Sequence, residues 1–268
     1  MMTRLRWMLF LAAAIMLLAA PSVSDAQIPY DAGAGDIPYA GQYRRGQDVV
    51  PAYDGWRSNP DGTFTLFFGY FNRNYEEELD IPIGPDNNVD GSDRGQPTHF
   101  YPRRQWFVFK VVVPNNWGLE RKVAWTLSIR GKTNTAKGWL RPDWEINDEV
   151  MMQNLGGGSP LENERPVITG SASQTVTLPN TVTLTAAAQD DGLPKPRRQR
   201  NPDPNSPGTL SIRWIQYRSP GPVTFSSATG GSTSSITANF EVPGIYVLRA
   251  IASDGALEAF HDVTVTVK

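Results

Sequence analysis

"GIYVLRAIASDG", residues 244–255, reads as one strand closed by an Asp-Gly turn, and it sits among others of the same kind. Ahead of it stand "LTAAAQDDGLP", residues 184–194, and "IRWIQYRSPGPVTF", residues 212–225. Strand side chains alternate between two faces, so a period of two marks a half-buried strand. Val182, Leu184, Ala186 and Ala188 share one face, with Thr183 and Thr185 on the other, and Val263, Val265 and Val267 alternate with Thr264 and Thr266. The pattern predicts seven short strands at about 173–178, 181–189, 210–217, 222–226, 234–240, 244–253 and 259–267, with turn residues between them.

Seven such strands in about a hundred residues predict an immunoglobulin-like sandwich. Two further marks agree. Trp214 falls on the third strand, the place of a buried Trp. Tyr246 follows Gly244 at the start of the sixth, the place of a tyrosine corner. The same motifs, "DDGLP", "WIQYRSPGPVTF" and "GIYVLRAIASDG", resemble the polycystic-kidney-disease (PKD) type of immunoglobulin-like domain over residues 165–268. The insertion "KPRRQRNPDPNSPG", residues 195–208, departs from that pattern. The resemblance implies a spacer, adhesion or carbohydrate- or protein-binding module without catalytic activity.

Residues 55–147 predict a second, smaller all-β domain. Phe64, Leu66, Phe68 and Tyr70 share one face of a strand, and Val123, Trp125, Leu127 and Ile129 share one face of another. "QWFVFKVVV", residues 105–113, is apolar on both faces and predicts a central strand; 78–83 and 135–140 predict shorter ones. No segment shows a helical period. "FFGYFNRNYEEELDIPIGPDNN" and "QPTHFYPRRQ" resemble a segment that precedes PKD-type domains in uncharacterised secreted bacterial proteins, a likeness that brings no function with it.

The fold class expected is all-β, two sandwiches in tandem. Residues 27–54, rich in Gly, Pro and Tyr, read as an extended arm, and 148–166, with Gly156, Gly157 and Gly158 before Pro160, as a flexible linker. Residues 1–26 read as a cleavable secretory signal: Arg4 and Arg6, an apolar run from Trp7 to Ala20, then Ser24-Asp25-Ala26 before Gln27. That run is shorter than the ~20 residues of a comfortable span, and no other stretch is long and apolar enough, so no membrane span is expected after cleavage, and the location expected is secreted or periplasmic.

The chain has no cysteine, which excludes disulfides, thiolate metal sites, cysteine nucleophiles and a cysteine-borne lipid anchor. Its formal net charge is −2, and removing the signal makes the balance slightly more negative, so no global field draws it to nucleic acid. The partners expected are a protein or a polysaccharide at the cell exterior.

Four features carry the site expectations. Asp190 and Asp191 end the second strand, Asp254 ends the sixth, and Glu162 and Glu164 precede the first; their loops lie at one end of a sandwich and make a candidate calcium site, the other reading being plain Asp-Gly turn chemistry, and no other cofactor is expected. "DNNVDG", residues 86–91, matches half a calcium loop but has Pro97 where the closing Glu belongs. Trp117 and Trp144, in turn-rich surroundings, are the candidates for an exposed aromatic platform, the alternative reading being a carbohydrate-binding protein that uses it. "PKPRRQR", residues 194–200, offers four cations in one loop. Catalysis has little to stand on: the two histidines, His99 and His261, fall in different domains, and no nucleophile elbow is present.

Overall fold

The computed structural model describes residues 43–156, 162–195, 210–226 and 231–268, which belong to one compact unit running from Gln42 to Lys268. The predicted signal, most of the arm and residues 196–200 of the basic loop lie outside the described residues. The architecture is all-β, and the strands form two sandwiches.

In the N-terminal sandwich, β1 (Val49–Ser58), β2 (Phe64–Asn72) and β6 (Arg103–Val113) form one antiparallel sheet in the order β1-β2-β6. β4 (Asn87–Val89), β7 (Val123–Ile129) and β8 (Lys132–Gly138) form the other, in the order β4-β7-β8. A two-stranded ribbon, β3 (Leu79–Asp80) with β5 (His99–Phe100), flanks them. The core between the sheets follows the sequence alternation: Leu66, Phe68, Val123, Trp125 and Leu127 are fully or almost fully buried. Phe68 stacks on Phe109, and Trp125 meets Phe109 edge to face.

The structure departs from three expectations. Residues 49–54, read with the arm, form the first half of β1. Pro51 and the Asp54-Gly55 pair look like loop chemistry, but Asp54 and Gly55 make a bulge in the strand, between Tyr53 and Gly55. β6 is not central: it pairs only with β2 among the described residues, and its outer residues Lys110 and Val112 are exposed. The linker contains a helix, α1 (Asp148–Leu155). Asn147 caps its N-terminus by accepting from Val150 N, and Gly156 ends it in the left-handed region at φ 83°, which glycine enters without steric penalty.

In the C-terminal sandwich all seven predicted strands are present. β10 (Gln174–Val176), β16 (Glu258–Val267), β15 (Gly244–Ser253) and β12 (Ser211–Arg218) form one sheet; β13 (Val223–Phe225), β14 (Thr233–Phe240), β11 (Val182–Gln189) and an added strand β9 (Val167–Gly170) form the other. The leading edge is split: β9 pairs antiparallel with β11, and β10 runs parallel to β16. Tyr246 is fully buried and its hydroxyl donates to Val242 O at 2.8 Å, a tyrosine corner. Trp214 is half-buried and packs against both apolar clusters of this sandwich.

Candidate functional site

The chemistry-bearing residues gather at the seam between the two sandwiches, built from two sides. On one side the edge strand β12 receives residues 93–101 of the N-terminal sandwich. Thr98 N donates to Tyr217 O at 3.1 Å, Ser219 N to Thr98 Oγ1 at 3.0 Å, and Gln216 N to Tyr101 Oη at 2.9 Å. Tyr217 Oη donates to Gly95 O, and Arg218 grips the Asp93 carboxylate with both terminal nitrogens, at 2.6 and 3.0 Å. A bidentate Arg–carboxylate pair adds geometric specificity to its charge.

On the other side α1 lays Met151 and Met152 into an apolar cluster with Phe67, Phe107 and Ile146 from the N-terminal side and Ala256 and Leu257 from the β15–β16 turn. Burying a Met side chain stabilises by about 1.5–3 kcal/mol, so this cluster holds the seam as a small core does. Arg165 crosses the same ground: it donates to Glu258 O and pairs with Asp148 at 3.0 Å.

A distortion of β6 shapes the middle of the seam. Gln105 pairs with Tyr70 and Phe109 with Phe68, so Trp106, Phe107 and Val108 together oppose the single residue Gly69. Asp54, with its side chain fully buried, holds this bulge: it accepts from Phe107 N at 2.8 Å and pairs with Arg104. Burial pushes its carboxyl up to about 6 against the pull of Arg104 and the Phe107 amide. A Cβ on Gly69 would stand 2.2 Å from Gln105 O and 2.5 Å from Asp54 Oδ2, which is why no side chain fits there. The bulge turns Val108 O toward the second sandwich, where Arg249 Nη1 donates to it at 2.5 Å. Arg249 also pairs bidentately with Asp262, at 2.7 and 2.9 Å, and lies over the Tyr217 ring. Between the bulge, α1 and β16 a cleft of about 420 Å³ remains open.

His99 is buried beside the β12 edge, with Nδ1 2.8 Å from Asp80 and Nε2 2.9 Å from Glu78. Burial opposes its charge, but the hydrogen bonds and charges of Asp80 and Glu78 outweigh it and hold its pKa above the usual 6.5.

Of the candidate calcium residues, Asp190, Asp191 and Asp254 lie near one another beyond the Gln189 end of β11. Asp254 is fully buried; its Oδ1 accepts from Ala256 N and Leu257 N, and its Oδ2 from Asn163 Nδ2 at 3.0 Å. Asp191 accepts from Glu164 N at 3.0 Å and from Leu193 N, and Asp190 from Gly192 N. Glu164 thus contributes its amide, and its side chain, like that of Glu162, is not placed in the cluster by any hydrogen bond or ion pair among the described residues. Asn163, between the two glutamates, lies closer in, and it is buried. Two buried oxygens find no donor: Asn163 Oδ1 and Asp190 Oδ1. Burial, together with the neighbouring charges of Asp254 and Asp191, raises the Asp190 carboxyl. Among the described residues no group of three His, Asp or Glu side chains converges closely enough to hold a metal alone. In "DNNVDG" the polar groups are spent on structure: Asn87, fully buried, bonds Ile81 O, Pro97 O and Trp125 Nε1, and Asp90 accepts from Ala124 N.

The two candidate tryptophans differ. Trp144 is 43% exposed, in a 3-10 turn beside Tyr53, at 5.4 Å between ring centroids. Trp117 is half-buried against the N-terminal core, and Arg121 lies 3.8 Å over its ring. No helix among the described residues is long and apolar enough to cross a membrane.

No protein-family model matches the sequence, and no curated protein matches it. Similar solved structures include titin domain M7, at 15% identity over 41% of this chain and 99% of that one, with a TM-score of 0.27. Another is the PKD domain of human KIAA0319, at 19% identity over 39% of this chain and 82% of that one, TM-score 0.22. Domains 4 and 5 of the S-layer protein SbsC share 13% identity over 55% of this chain and 65% of theirs, TM-score 0.27. Likenesses at this level carry no argument about function.

Proposed function

We propose that the chain is an exported, non-enzymatic binding or spacer protein that works at the cell exterior as one stiff body. The observation that supports this is the seam. A freely hinged pair of domains has no use for a β12 edge occupied by residues 93–101, a buried arginine bonding across it and a helix packed into both halves. The signal-like N-terminus supplies the export half of the reading. Adhesion is the task such a body suits, with a protein or polysaccharide as partner.

Calcium belongs to the same proposal. The oxygens of Asn163 and Asp190 are buried acceptors without donors, beside the carboxylates of Asp191 and Asp254, and buried acceptors are ordinarily satisfied. Calcium, which takes six to eight oxygens in flexible geometry, suits them better than magnesium, and would tie residues 163–164 to the β11 and β15 ends of the sandwich.

The test is fractionation of the producing cell, then a glycan array and a protein pull-down with the processed chain. Export together with a saturable partner on either platform is expected. Retention in the cytoplasm, or turnover of an arrayed ligand, would overturn the proposal.

A further inference from the structure

We infer that the seam cleft is a binding site for an acidic saccharide, a pyranose chain bearing carboxylates. This rests on the reading of the chain as a binding protein and names its ligand class. The cleft's volume, about 420 Å³, falls within the ~300–1,000 Å³ typical of small-ligand sites. Its walls come from both sandwiches, so the stiffness of the seam keeps it formed without ligand.

Charge selects the ligand. Five cationic side chains line the cleft, Arg57, Arg94, Lys110, Arg165 and Arg249, against two carboxylates, Glu258 and Asp262. Asp262 is held by Arg249 and Glu258 by Arg213, while Arg57 and Arg165 share Asp148. Arg94 and Lys110 have no ion-pair partner among the described residues, and both are exposed. The site is therefore cationic within a chain of net negative charge. A neutral ligand would leave those two cations idle.

The rings select the shape. Trp106, on the β6 bulge, and Phe260, on β16, both line the cleft; Phe260 is 37% exposed, unusual for that side chain. Arg104 covers one face of Trp106, at 3.6 Å, and Arg249 lies 4.7 Å from the centre of the Phe260 ring. Aromatic surface with one polar edge suits the apolar C–H face of a pyranose ring. A bare phosphate or sulfate would use the cations but not the rings. The pairing of exposed aromatic with unneutralised cation points to a sugar acid.

Isothermal titration of the full chain at low salt with short uronate oligomers (galacturonate, glucuronate, mannuronate) tests this, with the methyl-esterified oligomers and inorganic phosphate as separate arms. At least one uronate should bind, at least tenfold more weakly when its carboxyls are esterified, and phosphate should not compete. The double variant Arg94→Gln, Lys110→Gln should weaken that binding at least fivefold, and Phe260→Ala should weaken it without changing the urea midpoint by much, its ring being partly exposed. Equal binding of the esterified oligomer, competition by phosphate, unchanged affinity in the variants, or no uronate binding would each overturn the assignment. A glycan or protein partner found elsewhere, indifferent to these variants, would sink the cleft and leave the binding reading standing.

Discussion

Replacing Arg249 by Met should unfasten the middle of the seam while keeping most of its packing. Arg249 is 6% exposed. It donates to Val108 O across the seam, clasps Asp262 and covers Tyr217 at 3.6 Å. The Met stem still covers Tyr217, so little apolar area is lost. What goes is a charge-assisted bond to a backbone oxygen and the partner of a carboxylate. Breaking a buried pair by removing one member costs about 3–5 kcal/mol. Asp262 retains 40% of its side-chain exposure and can be rehydrated, which places the cost at the low end, about 3 kcal/mol. Urea unfolding followed by tryptophan fluorescence measures it. At roughly 2–4 °C per kcal/mol for a body of this size, the melting temperature should fall by about 6–12 °C. A loss below about 1 kcal/mol would refute the claim that Arg249 holds the two sandwiches together.

Three other outcomes follow from the geometry. Trp214→Ala should cost about 3 kcal/mol, the low end for a large aromatic because the ring is half-buried; a loss under about 1 kcal/mol in urea would place the ring outside the core. His99, with its folded pKa raised by Asp80 and Glu78, contributes stability that is full below its unfolded pKa of 6.5 and lost as pH rises through the higher folded value. The urea midpoint should therefore decline over that window in the wild type and less so in His99→Gln, and parallel profiles would contradict the doubly clasped imidazolium. Calcium at a hundredfold excess over its dissociation constant should add about 2.7 kcal/mol, seen as a higher melting temperature than in chelator and abolished by Asp190→Ala; identical melts at millimolar calcium would leave these aspartates as turn-formers.

Elements governed by near neighbours were legible in the sequence. The seven strands of the C-terminal sandwich announce themselves by alternation, and Tyr246 by its place after Gly244, because the pleat and the corner are local facts. β1 was hidden because its bulge at Asp54-Gly55 breaks the period. α1 has only eight residues, too few for a helical period to show, although Asn147 and Gly156 are ordinary caps. β6 misled for a definite reason. Apolar on both faces reads as central, but its second apolar face, Trp106 and Val108, lines the seam and its cleft instead of filling the middle of a sheet. Asp190, Asp191 and Asp254 stand at turn positions that the sequence displays, whereas Asn163, an amide, carries no such signal. The cleft, the Asp54 pin and the His99 clasp join residues some 20 to 140 positions apart, and no spacing rule reaches that far.

Differential scanning calorimetry of the full chain tests most directly whether the two sandwiches are one body. The seam predicts a single transition whose van't Hoff enthalpy equals the calorimetric enthalpy. Two separable transitions, one shifted by Tyr246→Phe in the C-terminal sandwich and the other not, would show independent domains on a hinge and would contradict it.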